Sequence, residues 1–265
     1  MPVVVRDGHS IHYEVRGPLV APPLLLIMGL GLSSRAWNRL PGRLEGQFRV
    51  ITFDNRGTGL SGPIVSPRLA IADLADDAAA VLDAARVTRA SVLGVSMGGM
   101  IAQELVLRHS SRVRSLMLGC TFASWLHGQK PAVRVTLKLL GINLIGARAT
   151  GGLSRILVSP EFDRTAPGEF PRWFRQVGLA GRATIFRQMR AIVGFSTSRR
   201  LHEISAPTLV VTGTADVLVP PANSRFIQSR IRGARLVELA GAGHLFPLER
   251  EDETVRLLEA QVLAS

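Results

Sequence analysis

The sequence has a single cysteine, Cys120. No intrachain disulfide can form, and such sparing cysteine use fits a reducing compartment. Long apolar runs are missing as well. The longest, 19–32, is interrupted by Pro22, Pro23, Gly29 and Gly31, too short and too broken to span a bilayer. Residues 1–8 include Arg6 and Asp7 and lack an apolar signal core, so a cytoplasmic location is expected. There is no internal repeat and no low-complexity tail. These absences exclude a disulfide scaffold, an integral membrane protein and a repeat array. Oligomeric state leaves no mark.

Lysine is almost absent too, limited to Lys130 and Lys138, yet the formal charge is +12. The excess is local. Residues 124–200 hold thirteen Lys or Arg against Glu161, Asp163 and Glu169, which is +10 of that total. Arg172, Arg175, Arg182, Arg187 and Arg190 fit a solvated helix face. They also fit a basic surface turned toward anionic lipid, an acidic carrier protein or an anionic substrate. No recognition motif accompanies the charge, so no nucleic-acid partner is expected.

What is present is a core. The chain has 265 residues, 46% of them hydrophobic, enough for one α/β domain with an insertion. Residues 2–6 and 10–15 alternate and flank Asp7-Gly8, a hairpin signal. Apolar or β-branched runs at 24–28, 48–53, 91–95, 113–118, 208–212 and 235–239 predict further strands. Helical periodicity predicts helices over 71–85, 97–108, 221–231 and 248–263. Strands alternating with helices predict a mainly parallel sheet covered on both faces. Between 124 and 200 no strand is expected. Short helices there are broken by Pro131, Gly141, Gly151-Gly152, Pro160, Pro167 and Gly181. The expectation is a core of 1–123 and 201–265 carrying a helical lid over 124–200.

The stretch Gly94-Val95-Ser96-Met97-Gly98 follows a predicted strand and opens a predicted helix. Such a G-x-S-x-G turn lifts its serine out of the sheet edge, and the two glycines leave room for the bend. By itself it also fits a glycine-rich turn with an incidental serine. A nucleophilic serine needs a base, and the base needs an orienting acid. Asp216 follows the strand 208–212 by four residues; a turn or capping aspartate is the bland reading. His244 stands in Gly241-Ala242-Gly243-His244, after the strand 235–239. The other five histidines lie in the N-terminal strands (His9, His12), at a helix end (His109) or at the edges of the insertion (His127, His202), and are expected at the surface or as caps. The order Ser96, Asp216, His244 matches the triad order of one hydrolase class. Two oxyanion donors are expected, the amides of Met97 and of Leu30 in the turn Met28-Gly29-Leu30-Gly31. No metal and no cofactor is called for.

With these residues in place, the chain resembles the α/β-hydrolase superfamily over nearly its whole length. The resemblance rests on Gly94-Val95-Ser96-Met97-Gly98-Gly99, on Asp54-x-Arg56-Gly57-x-Gly59-x-Ser61, on Gly213-x-x-Asp216 with Val219-Pro220 beyond it, and on Gly243-His244. It implies an α/β-hydrolase fold with an eight-stranded sheet and a helical lid inserted after the sixth strand. Many relatives have His-Gly after the third strand. Met28-Gly29-Leu30-Gly31 is instead similar to esterases that demethylate polyketides and to enol-lactonase-like proteins. The implied activity is serine hydrolysis of a small carboxylic ester or lactone. A C–C bond hydrolase, a thioesterase or a cofactor-free perhydrolase would share the triad, and a ligand receptor could keep the fold with little turnover. Dehalogenase and epoxide-hydrolase relatives carry aspartate at the position of Ser96. Met28, Phe122, Trp125, Trp173, Phe186 and Phe246 are candidates to line the substrate pocket, with part of the aromatic set expected to pack the lid instead.

Overall fold

The computed structural model of the protein describes residues 2–132, 135 and 150–264. Lys138 and Gly141 lie outside the described residues. The element order alternates as the pattern predicts. The strands are β1 (Val3–Arg6), β2 (His9–Arg16), β3 (Pro23–Ile27), β4 (Arg49–Phe53), β5 (Ala90–Val95), β6 (Val113–Gly119), β7 (Thr208–Gly213) and β8 (Arg235–Leu239). Among the described residues they form one sheet in the order β1-β2-β4-β3-β5-β6-β7-β8. The pairs β1·β2 and β2·β4 are antiparallel; every other pair is parallel.

Strand periodicity explains why the sheet has a core on each face. Successive side chains point to opposite sides. Leu25 and Ile27 of β3 therefore enter one cluster, while Leu24 and Leu26 enter the other. On β5, Val92 goes to the first face, and Leu93 and Val95 to the second. The first face is covered by α2 (Ile71–Ala84), α3 (Met97–Arg108) and, later in the chain, a helix over Ala222–Arg230. The second is covered by the turn Ser34–Trp37, α1 (Leu40–Leu44) and the C-terminal helix. Leu24, Leu25, Leu26 and Ile27 are all fully buried, each stabilising the fold by roughly 1.5–3 kcal/mol relative to an exposed side chain.

In α2, alanine-rich sequence favours the helix and Asp73 holds its start, its carboxylate accepting the Ala70 N–H at 2.8 Å. The C-terminal helix expected over 248–263 is two helices. One spans Phe246–Glu249, the other Glu251–Leu263, and Arg250 between them leaves helical geometry at φ −130° and ψ 53°. The break frees Glu249 to turn inward.

Residues 124–200 lie between β6 and β7. Their described helices are α4 (Thr150–Leu157), α5 (Pro160–Thr165), α6 (Glu169–Val177) and α7 (Arg182–Val193); the helix at Ala222–Arg230 is α8, and those at Phe246–Glu249 and Glu251–Leu263 are α9 and α10. An antiparallel bridge between Ser124 and Ser196 draws the two ends of the insertion together. On α6, Phe170, Trp173 and Phe174 are buried on one side, and Arg172 pairs with Glu169 at 2.7 Å on the other. The insertion is thus anchored by an aromatic stripe, with Trp173 Nε1 donating to Ala36 O at 3.1 Å.

Candidate active site

Loops at the carboxyl ends of β5, β7 and β8 carry the residues singled out in the sequence, with the end of β6 between the first loop and the other two. Ligand and catalytic groups of open α/β sheets gather at this edge. Ser96 occupies the turn from β5 into α3 with φ 58° and ψ −122°. That left-handed conformation is costly for a side-chain-bearing residue and persists only where neighbours enforce it. Here they do. A methyl group at Gly94 would collide with the Gly98 carbonyl, and one at Gly98 would collide with the Ile27 carbonyl. The Ser96 N–H donates to Gly119 O at 2.9 Å, and Thr121 Oγ1 donates to Ser96 O at 2.8 Å. Ser96 keeps a partly exposed side chain in otherwise buried surroundings.

Asp216 and His244 are both buried and meet at 2.8 Å, His244 Nδ1 to Asp216 Oδ2. The other carboxylate oxygen, Oδ1, accepts the amides of Leu218 and Val219 at 2.8 and 2.9 Å. With a carboxylate as acceptor, the imidazole proton belongs on Nδ1, which leaves Nε2 basic. Gly213 approaches the 240s loop so closely that a side chain there would strike the Ala242 carbonyl. This packing brings the two loops to hydrogen-bonding distance.

Cys120 is a neighbour that sequence reasoning passed over. It follows Gly119, the acceptor of the Ser96 amide, and its Sγ lies within 4.8 Å of the Asp216 and His244 ligand atoms. Burial pushes its thiol well above the ordinary range, and the Asp216 charge adds to the shift. A protonated thiol offers no ready metal ligand, and His244 Nδ1 and Asp216 Oδ2 already satisfy one another. The donor set fits imidazole orientation better than metal coordination.

The turn 28–31 packs directly against the serine: a Cβ built on Gly29 would lie 3.6 Å from Ser96 Oγ. Asn55 Nδ2 donates to Met28 O at 3.0 Å. Among the described residues, neither the Leu30 nor the Met97 amide meets a protein acceptor. Met97 opens α3, where the first amides lack intrahelical partners and the helix dipole favours negative charge.

The aromatic candidates separate. Phe122 stands against Trp125 at 5.9 Å and Phe195 at 6.5 Å. Phe122 and Trp125 border a small cavity shared with Leu218 and Val219, next to Asp216. Met28 is buried within the second-face cluster. Trp173 packs among Phe170 and Phe174, and Phe246 is fully buried against Gly119. Both are core-packing groups. Phe186 is 64% exposed. The expectation for histidines is corrected at two positions. His9 and His12 are buried, His9 Nε2 accepting from Val65 N at 3.1 Å and His12 Nδ1 standing 3.5 Å from Asp54. Alternation sets them on opposite faces of β2, and residues of the loop 54–66 cover both. Arg187 is likewise no free surface charge, since its Nη1 donates to Ile64 O and Ser66 O at 2.6 and 3.0 Å.

Glu249 joins the His244 loop to the insertion. Its Oε1 accepts Gly243 N at 3.0 Å and Ser159 N at 3.2 Å, while Oε2 is buried without a partner. Burial raises its pKa, with the Ser159 hydroxyl and the two amides opposing. The folded state therefore binds this proton more tightly than the unfolded chain. That contribution to stability is complete below the unfolded value of about 4.3 and is lost as pH rises through the folded pKa. Thermal melts of wild type and Glu249→Gln across this range should diverge, the wild type losing stability relative to the variant as pH rises. A constant difference would assign Glu249 no such role.

The sequence profile of the alpha/beta hydrolase fold family matches residues 22–251. A protein of Variovorax paradoxus, provisionally named carbamate hydrolase RutD, is 32% identical over 241 residues, spanning 88% of this chain and 89% of its own. The 3-oxoadipate enol-lactonase 1 of Acinetobacter baylyi is 25% identical, spanning 97% and 94%. The crystal structure of an enol-lactonase from Burkholderia xenovorans superposes with a TM-score of 0.86 at 26% identity, covering 100% of both chains. Among the described residues no helix is long and apolar enough to cross a membrane. By profile match and by its eight-stranded, mostly parallel sheet, this chain belongs to the α/β hydrolase family.

Proposed function

We propose that the chain is a serine hydrolase that cleaves a carboxylic ester or lactone through Ser96, His244 and Asp216, with residues 124–200 as its lid. The observations that carry the reading are a conformationally forced serine, φ 58° at the head of α3, and a buried His244–Asp216 contact of 2.8 Å at the same edge of the sheet. The two are joined through Gly119-Cys120 at the end of β6, where Gly119 O accepts the Ser96 amide and Cys120 stands beside Asp216 and His244. In this reading Ser96 Oγ attacks the carbonyl carbon and His244 Nε2 takes its proton. The oxyanion is received by the amides of Leu30 and Met97. His244 then passes the proton to the leaving alkoxide, giving an acyl-enzyme. Water, deprotonated by His244, releases the acid. Asp216 holds the imidazole tautomer throughout. Phe122 and Trp125 offer apolar surface for the substrate, which is a small molecule.

A second reading, carbamate cleavage, is favoured by the 32% identity to the RutD protein. It uses the same serine and passes through a carbamoyl-enzyme. A panel of aryl esters, lactones and aryl carbamates, run on wild type and Ser96→Ala, separates them. Ester or lactone turnover above carbamate turnover, lost in the variant, supports the first reading; the reverse ranking supports the second. A fluorophosphonate should add its mass at Ser96. Equal turnover in the two proteins, with no labelling, would overturn both.

A further inference from the structure

We infer that Gln188, on lid helix α7, is a positioning residue that sets the oxyanion turn, so that the catalytic site is complete only while the lid is seated. The inference rests on the reading of Leu30 and Met97 as oxyanion donors.

Gln188 is fully buried, in a helix whose neighbouring positions carry Phe186, Arg187 and Arg190. Complete burial of a primary amide is costly unless its polar atoms are paired. Both are. Its Oε1 accepts the Gly31 N–H at 2.8 Å, and its Nε2 donates to Arg56 O at 3.2 Å. The Gly31 carbonyl in turn accepts the Ala180 N–H at 2.9 Å, from the turn between α6 and α7. The lid thus holds both backbone groups of Gly31. Leu179 and Ile185 close over the same residue: a Cβ built on Gly31 would lie 3.0 Å from Leu179 Cδ1 and 3.4 Å from Ile185 Cγ1. Gly31 has φ 68°, a conformation that other residues adopt only with strain.

The consequence follows from peptide planarity. Leu30 lies between two fixed points. On its N-terminal side Asn55 grips Met28 O from the core. On its C-terminal side Gln188 fixes the plane of the Leu30–Gly31 peptide and Ala180 fixes the next one. Only one of these anchors belongs to the core. With Gln188 and Ala180 withdrawn, the Gly29–Leu30 peptide that carries the Leu30 N–H keeps only the Asn55 grip on Met28 O and the long 3.4 Å bond from Leu32 N–H to Gly29 O. Its C-terminal side is released, and the aim of the Leu30 N–H loosens. Lid seating and transition-state stabilisation are coupled through one glycine.

Gln188→Met keeps the length and volume of the side chain and removes the acceptor. Its kcat on an aryl ester should fall about 10- to 100-fold, the scale of a misplaced catalytic group, with KM within about twofold. Binding of a trifluoromethyl ketone, which adds to Ser96 and places an oxyanion in the hole, should weaken by the same factor. Binding of the product carboxylate should not. Gln188→Glu, when protonated, offers one acceptor and one donor as glutamine does, so its activity relative to wild type should recover as pH falls. This variant also carries the test if the methionine protein does not fold. The inference is overturned if folded Gln188→Met retains wild-type kcat. It is equally overturned if kcat, KM and both inhibitors shift together, the mark of a structural role. Wild-type labelling by a fluorophosphonate at Ser96 shows separately that the hydrolase reading stands; without labelling, that reading and this inference fall together.

Discussion

Replacing Asp216 by asparagine is expected to lower kcat by about 10⁴-fold while leaving the fold intact, the scale seen when a triad histidine is left in the wrong tautomer. The hydrogen bonds explain why the new amide cannot escape by turning over. Asp216 Oδ1 accepts two backbone amides, from Leu218 and Val219. An NH₂ group there would face two N–H donors, so the asparagine oxygen must stay at that position. Its NH₂ then faces His244 Nδ1, where Oδ2 stood at 2.8 Å. Nδ1 is forced to accept, the ring proton moves to Nε2, and Nε2 can no longer take a proton from Ser96. Far-ultraviolet circular dichroism and melting temperature should match wild type closely, while turnover of an aryl ester collapses. Near-wild-type turnover in a folded Asp216→Asn protein would remove Asp216 from the mechanism.

A second large effect, on stability, is expected at Asp77. Arg56 and Asp77 are 2% and 1% exposed and paired in a two-pronged contact, Nε to Oδ2 at 2.5 Å and Nη2 to Oδ1 at 2.6 Å. Arg6 Nη1 adds a third bond to Asp77 Oδ1 at 3.1 Å. Asp77→Ala leaves the buried Arg56 charge with only Asp7, exposed and 4.0 Å away, and breaking such a pair typically costs about 3–5 kcal/mol. At roughly 2–4 °C per kcal/mol for a chain of this size, melting should fall by about 6–20 °C. The double variant Arg56→Met, Asp77→Leu should recover much of that loss, because no unpaired charge remains. Activity of the single variant should fall too. Arg56 adjoins Asn55, whose side chain holds Met28 O at the base of the oxyanion turn. A single variant that melts like wild type would show that the pair contributes nothing net.

Much of the architecture was readable because it is local. Strand alternation and helix periodicity are properties of neighbouring residues, so the elements that carry the site, including Met97–Arg108 and Arg235–Leu239, stand within a residue or two of expectation. The G-x-S-x-G turn was readable for the same reason. Gly94 is demanded by a contact that the bend itself creates, with the Gly98 carbonyl; Gly98 is demanded by the neighbouring strand, through the Ile27 carbonyl. The break at Arg250 was not readable, because helical composition continues through 248–263 and only the inward turn of Glu249 toward Gly243 and Ser159 ends the first helix. Burial of His9 and His12 was equally hidden. Alternation tells which strand residues share a face; which face is covered depends on loops far along the chain, here 54–66.

Ser96, Asp216 and His244 were therefore singled out by the sequence alone, as residue types on the loops that follow predicted strands, together with the sheet that carries those loops. Tertiary structure decided which groups meet around them: Cys120 behind the Asp216–His244 contact, Glu249 beneath the His244 loop, and Gln188 across 157 positions of chain from Gly31. The physical reason is range. Backbone geometry and periodicity act within a few residues and leave a pattern in the order of amino acids. A single hydrogen bond between distant segments leaves none, because any buried glutamine looks alike until packing supplies its partner.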